Sequence, residues 1–406
     1  MKSWFLHICL FTGCVFSLSS CILDDEIDVN TTETIVELTL SYADDPMSRD
    51  VGSKEDELDE TTDPQKTLDI EDIYVLAFQA IENNSENPGY DTDKFIGLVD
   101  DLTFETTSGV QKLKGRMNPQ LFTPGMNVYF AVLTNLKQNN IKDAIGTAVT
   151  ITTFWNNMKN HTSEAIYENL IYNTSNGRWL QTYDETTKKW VASDTPRIPM
   201  WGKTEPRQLS YSSNIDLGDC ALYRALAKVQ IWIGNKSGIT GPDSNKFKIT
   251  KITVQNANSK GYCVSMNVPN SDINKQYTAP SVPGYAALSN NIVYDDLNVT
   301  TAYSDMIYLP EHINTGEGLT PIKILVEYTY NGTEYTGNKA GVIEFYDADG
   351  AYDVIRNHSY IFNITAISEQ VGHTLLYQVR DWTDVETPDL YFGNSDGNVN
   401  NSTVQN

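Results

Sequence analysis

The sequence predicts a mostly β protein of two tandem β-sandwich domains, with a few short helices in the first. Short apolar runs rich in Val, Ile, Tyr and Thr recur between Gly, Asn and Pro breaks along most of the chain. The 23 Tyr residues favour strands, and the frequent Asn residues favour turns. Only the stretch from about 141 to 172 shows helical spacing. At 406 residues the chain is long enough for two ordinary domains.

The first element is a leader. Lys2 supplies a positive start, and the mostly apolar run from Trp4 to Leu18 is too short to span a bilayer as a permanent helix. Small residues Ser19 and Ser20 then precede Cys21, the shape of a bacterial lipobox. Residues 1–20 are expected to be a lipoprotein signal peptide, with Cys21 acylated. Two or more acyl chains, at about 0.8 kcal/mol per buried methylene, hold a protein stably on a membrane. The lipid partner expected from this is the outer membrane.

A lipidated arm, residues 21–69, follows. Thr34–Tyr42 reads TIVELTLSY, with Val36, Leu38, Leu40 and Tyr42 on one face and Glu37, Thr39 and Ser41 on the other. That is the period of a half-buried strand. Residues 43–69 are rich in Asp, Glu, Thr, Ser and Pro and contain hardly any apolar residue, so they cannot bury enough surface to order themselves. A good strand is therefore tethered to the body by a polar linker. Arg49, followed by Asp50, is a lone basic residue in this acidic run, and such segments are where proteases cut.

The first domain is expected over 70–208. Ile73–Phe78 is apolar enough to be covered on both faces, Lys94–Leu98 and the stretch around Leu113 are short strands, and Asn127–Leu133 is a core strand introduced by the Pro124-Gly125 turn. Ser163 is a candidate N-cap for a helix running towards Leu170. Arg178 to Thr195 reads as a polar hairpin or loop carrying Trp179 and Trp190, and the domain closes on Ile198–Thr204 (IPMWGKT).

The second domain is expected over 209–393. Strands are predicted at 222–233, 247–254, 322–330, 333–345, 360–367 and 375–379. Asn331-Gly332 is a strong hairpin signal, because both positions accept the positive φ of a type I′ turn. Residues 394–406 form a polar tail with no reason to fold.

Charge and chemistry narrow the function. A net charge of −24 argues against nucleic acid as a partner, because phosphate binding needs clustered Lys and Arg. Beyond Cys21 only Cys220 and Cys263 remain, and they fit either one disulfide or two buried thiols. The His residues show no metal-ligand spacing, and Asp347-Ala348-Asp349-Gly350 reads as a β-turn rather than a calcium loop. No nucleophile elbow, phosphate loop or dinucleotide motif is present, so no enzyme, cofactor or metal site is expected. Trp155, Trp179, Trp190 and Trp201 fit either core positions or a sugar-stacking surface.

Several segments together resemble the fimbrillin family, the type V pilins of Bacteroides-like bacteria. The lipobox Cys21 and the early strand ending near Arg49 match in kind. Ile198–Thr204 resembles the family's Pro-Met-x-Gly-Lys segment, and Leu222–Val229 resembles the strand that opens its C-terminal domain. Ile307–Glu311 (IYLPE) and Arg356–Tyr360 (RNHSY) resemble later landmarks, and the acidic Asp24-Asp25-Glu26 resembles a surface-export signal. Their order and spacing cover nearly the whole mature chain.

The resemblance implies transthyretin- or Ig-like Greek-key sandwiches and an assembly mechanism. An Arg-specific surface protease would cut between Arg49 and Asp50 and remove the lipidated arm with its placeholder strand. The vacated groove would then take a strand from another fimbrial subunit, in a homo- or hetero-polymer that supports adhesion to host protein or glycan. The residues suit this: burying Val36, Leu38, Leu40 and Tyr42 contributes on the order of 6–12 kcal/mol before entropy costs. Removing them would leave an apolar slot and unpaired backbone, which β-strand addition repairs. Leu375–Trp382 and Leu390–Phe392 are the apolar donor candidates near the C-terminus. Two other readings stay open: a tip adhesin or glycan-binding lipoprotein, and an anchor subunit that keeps its lipid.

Overall fold

The structure, a computed structural model, describes residues 34–42, 68, 70–81, 93–107, 110–136, 150–158, 161–173, 177–193, 196–210, 214–234, 241–243, 245–264, 290–300, 302–314, 320–347, 350–351, 353–368, 374–380 and 390–391. Among these, no helix is long and apolar enough to cross a membrane.

The first half begins with β1 (Thr34–Tyr42), β2 (Ile73–Gln79), β3 (Lys94–Leu98), β4 (Asp100–Thr107), β5 (Val110–Met117) and β6 (Asn127–Thr134). Two short helices follow, α1 (Ile151–Asn157) and α2 (Ser163–Tyr167). The chain continues through β7 (Ile171–Asn173), β8 (Gln181–Asp184), β9 (Lys189–Ala192), β10 (Met200–Lys203), β11 (Arg207–Gln208) and β12 (Asn214–Arg224). Nine of these strands form one sheet in the order β3-β2-β6-β10-β12-β1-β5-β4, with β11 paired to β6.

Burial explains the arrangement. Val128, Phe130 and Val132 of β6 and Ile73, Val75 and Ala77 of β2 enter one core. The alternate residues Tyr129, Ala131, Leu133, Leu76 and Phe78 enter a second core that also holds Phe154 and Trp155 of α1 and Ile166 and Tyr167 of α2. Strands covered on both faces read as continuous apolar runs, which is why β2 and β6 lack alternation. The sheet curls through β12, which pairs with β1 up to Leu222 and with β10 at Tyr223 and Arg224. The first core lies inside this curl, faced by Leu217, Cys220 and Leu222 of β12.

The helix caps are local. Thr150 Oγ1 accepts from the backbone N–H of Thr153 at 3.2 Å to cap α1. In α2 the cap falls one residue before the expected Ser163, since Thr162 Oγ1 accepts from the N–H of Ala165 at 3.3 Å. The Ser163 N–H instead donates to the carbonyl of Asp93 at 2.9 Å.

The second half contains β13 (Leu226–Ile233), β14 (Phe247–Gln255), β15 (Lys260–Tyr262), β16 (Ile292–Tyr294), β17 (Ala302–Pro310), β18 (Lys323–Tyr330) and β19 (Thr333–Tyr335). It closes with β20 (Gly341–Glu344), β21 (Tyr346–Asp347), β22 (Gly350–Ala351), β23 (Ser359–Ser368), β24 (Thr374–Arg380) and β25 (Leu390–Tyr391). One five-stranded sheet runs β17-β13-β23-β24-β25. The other runs β16-β14-β18-β19, with β20 also on β18. Val229, Ile231, Ile307 and Phe362 of the first meet Phe247, Ile252, Val326 and Tyr328 of the second in a single core, a two-sheet sandwich. Asn331 and Gly332 take φ of 50° and 77°, as the hairpin signal requires.

The predicted strand 222–233 is broken at Ala225: the first sheet keeps the chain through Arg224, past the expected boundary at residue 208, and the sandwich starts at Leu226. The halves are stitched together. β15 pairs with β7 of the first half. Arg178 lies 4.6 Å from the ring centre of Trp190 and 4.5 Å from that of Tyr294.

Two questions that the sequence left open are answered by the structure. Cys220 and Cys263 are both free and buried, so the disulfide alternative falls. They belong to different cores, the thiol of Cys220 inside the curled sheet and that of Cys263 beside the helices. Burial pushes both thiols up to about 12. The sugar-stacking surface also falls, because Trp155, Trp179 and Trp201 are core residues at 6%, 1% and 0% exposure. Trp190 is half-buried against Arg178.

Candidate functional site

The structural feature that bears on the strand-exchange expectation is the seat of β1. This strand lies inside the first sheet, parallel to β12 and antiparallel to β5. Its period-two sequence is met by period-two surroundings. Val36 and Leu38 are each 1% exposed and Leu40 is 9% exposed, while Ile35 on the opposite face is 41% exposed. Val36 stands across from Gly115, and Leu38 across from Leu113, which is fully buried. At about 1.5–3 kcal/mol per buried side chain, these three residues alone are comparable to much of a domain's net stability.

The outward face of the seat is polarised. On the β5 side, Lys114 stands across from Glu37 and Lys112 across from Thr39. On the β12 side the corresponding residues are Asp216 and Asp219. Lys112 Nζ donates to Glu37 Oε1, and Lys114 Nζ lies 3.5 Å from Glu37 Oε2. Lys114 also pairs with Glu105 of β4 at 2.7 Å. The hydrogen bond from Lys112 is the main reason the Glu37 carboxyl lies below its ordinary value. The Glu37 side chain is 15% exposed, so this is a partly sheltered cluster at the sheet surface.

The register of β1 against β12 shifts between Glu37 and Thr39, where β12 bulges at Leu217 and Gly218. Gly218 adopts φ of 78°, a conformation that suits glycine, and its N–H donates to Asp216 Oδ1 at 2.8 Å. Arg207 Nη1 donates to the carbonyl of Asp216 and braces the bulge from β11. On the other side of β12, β10 supplies the MWGK residues. Met200 faces the curled-sheet core and Trp201 the helix-side core. A Cβ at Gly202 would run into the carbonyl oxygen of Ala221, so glycine permits this close approach. Lys203 lies 5.4 Å from the ring centre of Tyr129, and burial depresses its ammonium below the ordinary value.

Of the residues singled out in sequence, Val36, Leu38 and Leu40 come together in this seat. Tyr42 continues the pairing opposite Leu222, but its side chain lies outside the described residues. Cys21, Arg49, Asp50 and Phe392 also lie outside them. The donor candidates Leu375–Arg380 and Leu390–Tyr391 are β24 and β25, paired onto the second half's own sheet next to β23. Sequence reading missed Glu37 as a charge partner, together with Lys112, Lys114 and the whole of β12 up to Ala221. Among the described residues, no group of three or more His, Cys, Asp or Glu is placed to hold a metal.

No protein-family model matches the chain, and no curated protein matches it. Solved structures resemble it in outline. A fimbrial assembly protein from Parabacteroides distasonis aligns over 89% of this chain and 99% of its own, at 12% identity and a TM-score of 0.46. A candidate cell adhesion protein from the same species aligns over 86% and 99%, at 13% identity and 0.41. A candidate adhesin from Bacteroides ovatus aligns over 89% and 95%, at 11% identity and 0.36.

Proposed function

We propose that this chain is a structural subunit of a cell-surface fimbrium, exported as a lipoprotein through Cys21 and polymerised by strand exchange. An Arg-specific surface protease cuts between Arg49 and Asp50. The arm leaves with β1, and a strand from another subunit takes its place. The chain performs no catalysis, and its adhesive role comes from the polymer.

The observation that carries this reading is the position of β1. It forms ladders with β12 on one side and β5 on the other, and its apolar face is buried in the first core. Yet residues 43–67, which join it to the body, have a composition with almost nothing to bury. A cut after Arg49 leaves β1 without a covalent link to everything from Asp50 onward. Loss of β1 would then expose two strand edges and an apolar slot, and an incoming alternating strand would repair both.

The N-terminus of the protein in assembled fimbriae tests this. Mass spectrometry should find free Asp50. An acylated Cys21 in the assembled material would overturn the processing step and make this chain a membrane-retained anchor.

A further inference from the structure

We propose that the seat of β1 selects its occupant by charge. It accepts an extended strand from another polypeptide that carries alternating apolar residues and a carboxylate at the position of Glu37, in preference to the C-terminal strand of a second copy of this chain. This rests on the strand-exchange reading.

The two lips of the seat differ in sign. Lys112 and Lys114 of β5 line one, and Asp216 and Asp219 of β12 line the other. Both lysines reach the single carboxylate of Glu37. Glu105 already engages Lys114 at 2.7 Å, so loss of Glu37 is felt mainly at Lys112. An incoming carboxylate in this register restores the pairing. An incoming cation meets two ammonium groups on β5 against the single Asp216 carboxylate opposite it on β12, and the like charges, which outnumber the opposite one, are unfavourable on neighbouring strands.

The chain's own C-terminal candidate does not carry the required group. With Leu375, Tyr377 and Val379 facing inward, the outward positions between them are Leu376 and Gln378, and the next is Arg380. In the Leu390–Phe392 segment the intervening residue is Tyr391. The β24 backbone is also committed, with β23 on one side and β25 on the other. The bulge at Gly218 adds a constraint of register, because it fixes which outward residue of the occupant lies opposite Lys114.

The test uses the full chain carrying Leu38→Asp, which opens the seat, and three fluorescent peptides read by anisotropy. The first is residues 34–42, the second the same with Glu37→Lys, and the third residues 374–382. The first should bind about tenfold tighter than the other two, the size of effect expected from a rim charge in the wrong sign. Adding Lys112→Glu and Lys114→Glu to the chain should reverse the order of the first two. Equal binding of all three overturns charge selection and leaves exchange standing, whereas binding of none overturns the exchange reading itself. A second measurement does not depend on Leu38→Asp. In the otherwise native chain, Glu37→Lys should speed amide hydrogen exchange of β1, and Lys112→Glu with Lys114→Glu should restore protection. Failure of that rescue contradicts the pairing.

Discussion

Leu38 of β1 and Leu113 of β5 are directly opposed in an antiparallel ladder, 1% and 0% exposed. Leu38→Ala should therefore weaken the seat by about 2–4 kcal/mol, the lost transfer free energy plus the cavity left behind. On the proposal that β1 leaves as a unit, hydrogen exchange should show faster opening of β1, β5 and residues 214–222 together. Accelerated exchange confined to β1, with its neighbours unchanged, would mean the three strands do not share one opening event.

The seat should also loosen in acid. The folded Glu37 carboxyl is held below its unfolded value, chiefly by the Lys112 hydrogen bond, so its contribution is complete above roughly pH 4.5. It is lost as pH falls through the depressed folded value. Lys112 is raised chiefly by its hydrogen bond to Glu37 and Lys114 chiefly by its bond to Glu105, so the contribution also fades in strong base, above the ordinary lysine range. Asp216, Asp219 and Glu105 face the same cluster. The opening of β1, read from amide-exchange protection factors, should rise with acid in the native chain. Glu37→Gln should flatten that rise; an unchanged profile would assign it to other carboxylates.

A different pair ties distant segments of the second half together. Arg356 Nη2 lies 2.6 Å from Glu311 Oε2 with both side chains 1% exposed, and the guanidinium also donates to the carbonyls of Tyr262 at 3.0 Å and Cys263 at 3.4 Å. Removing one partner leaves a buried charge without its counter-ion, which costs about 3–5 kcal/mol. Glu311→Ala should lower the denaturant midpoint accordingly, and Glu311→Leu with Arg356→Met should recover part of the loss. Additive effects in that double-mutant cycle would argue that the two side chains act independently.

Cys220 and Cys263 should resist thiol reagents at pH 8 in the native chain, since burial pushes both to about 12 and keeps them protonated. Both should react at once in denaturant. Slow labelling of Cys220 after removal of the arm would report the same opening, because it pairs with Leu40 across the β1–β12 ladder.

The strands most visible in the sequence are those with one simple environment. β1 alternates because one face is buried, and β2 and β6 are uniformly apolar because both are. The hairpin at Asn331-Gly332 was legible because those residue types suit left-handed backbone. β12 was not legible, and it is the strand that completes the seat. Its inward residues are Ile215 and Leu217, then, after the bulge at Gly218, Cys220 and Leu222, so a strict alternation breaks in the middle. The Glu311–Arg356 pair joins two recognisable segments, but nothing local says that they meet, since the residues lie 45 positions apart. The tryptophans could not be placed from sequence alone, because a large aromatic serves a core and a binding face equally well.

Exchange of β1 can be observed directly by native mass spectrometry. The full chain, cut after Arg49 by an Arg-specific protease, is mixed with an isotope-labelled peptide of residues 34–42. The labelled strand should replace the original in the cut protein and leave the uncut protein unchanged. If the cut protein keeps its original strand indefinitely, or loses it and captures nothing, polymerisation through this seat is contradicted.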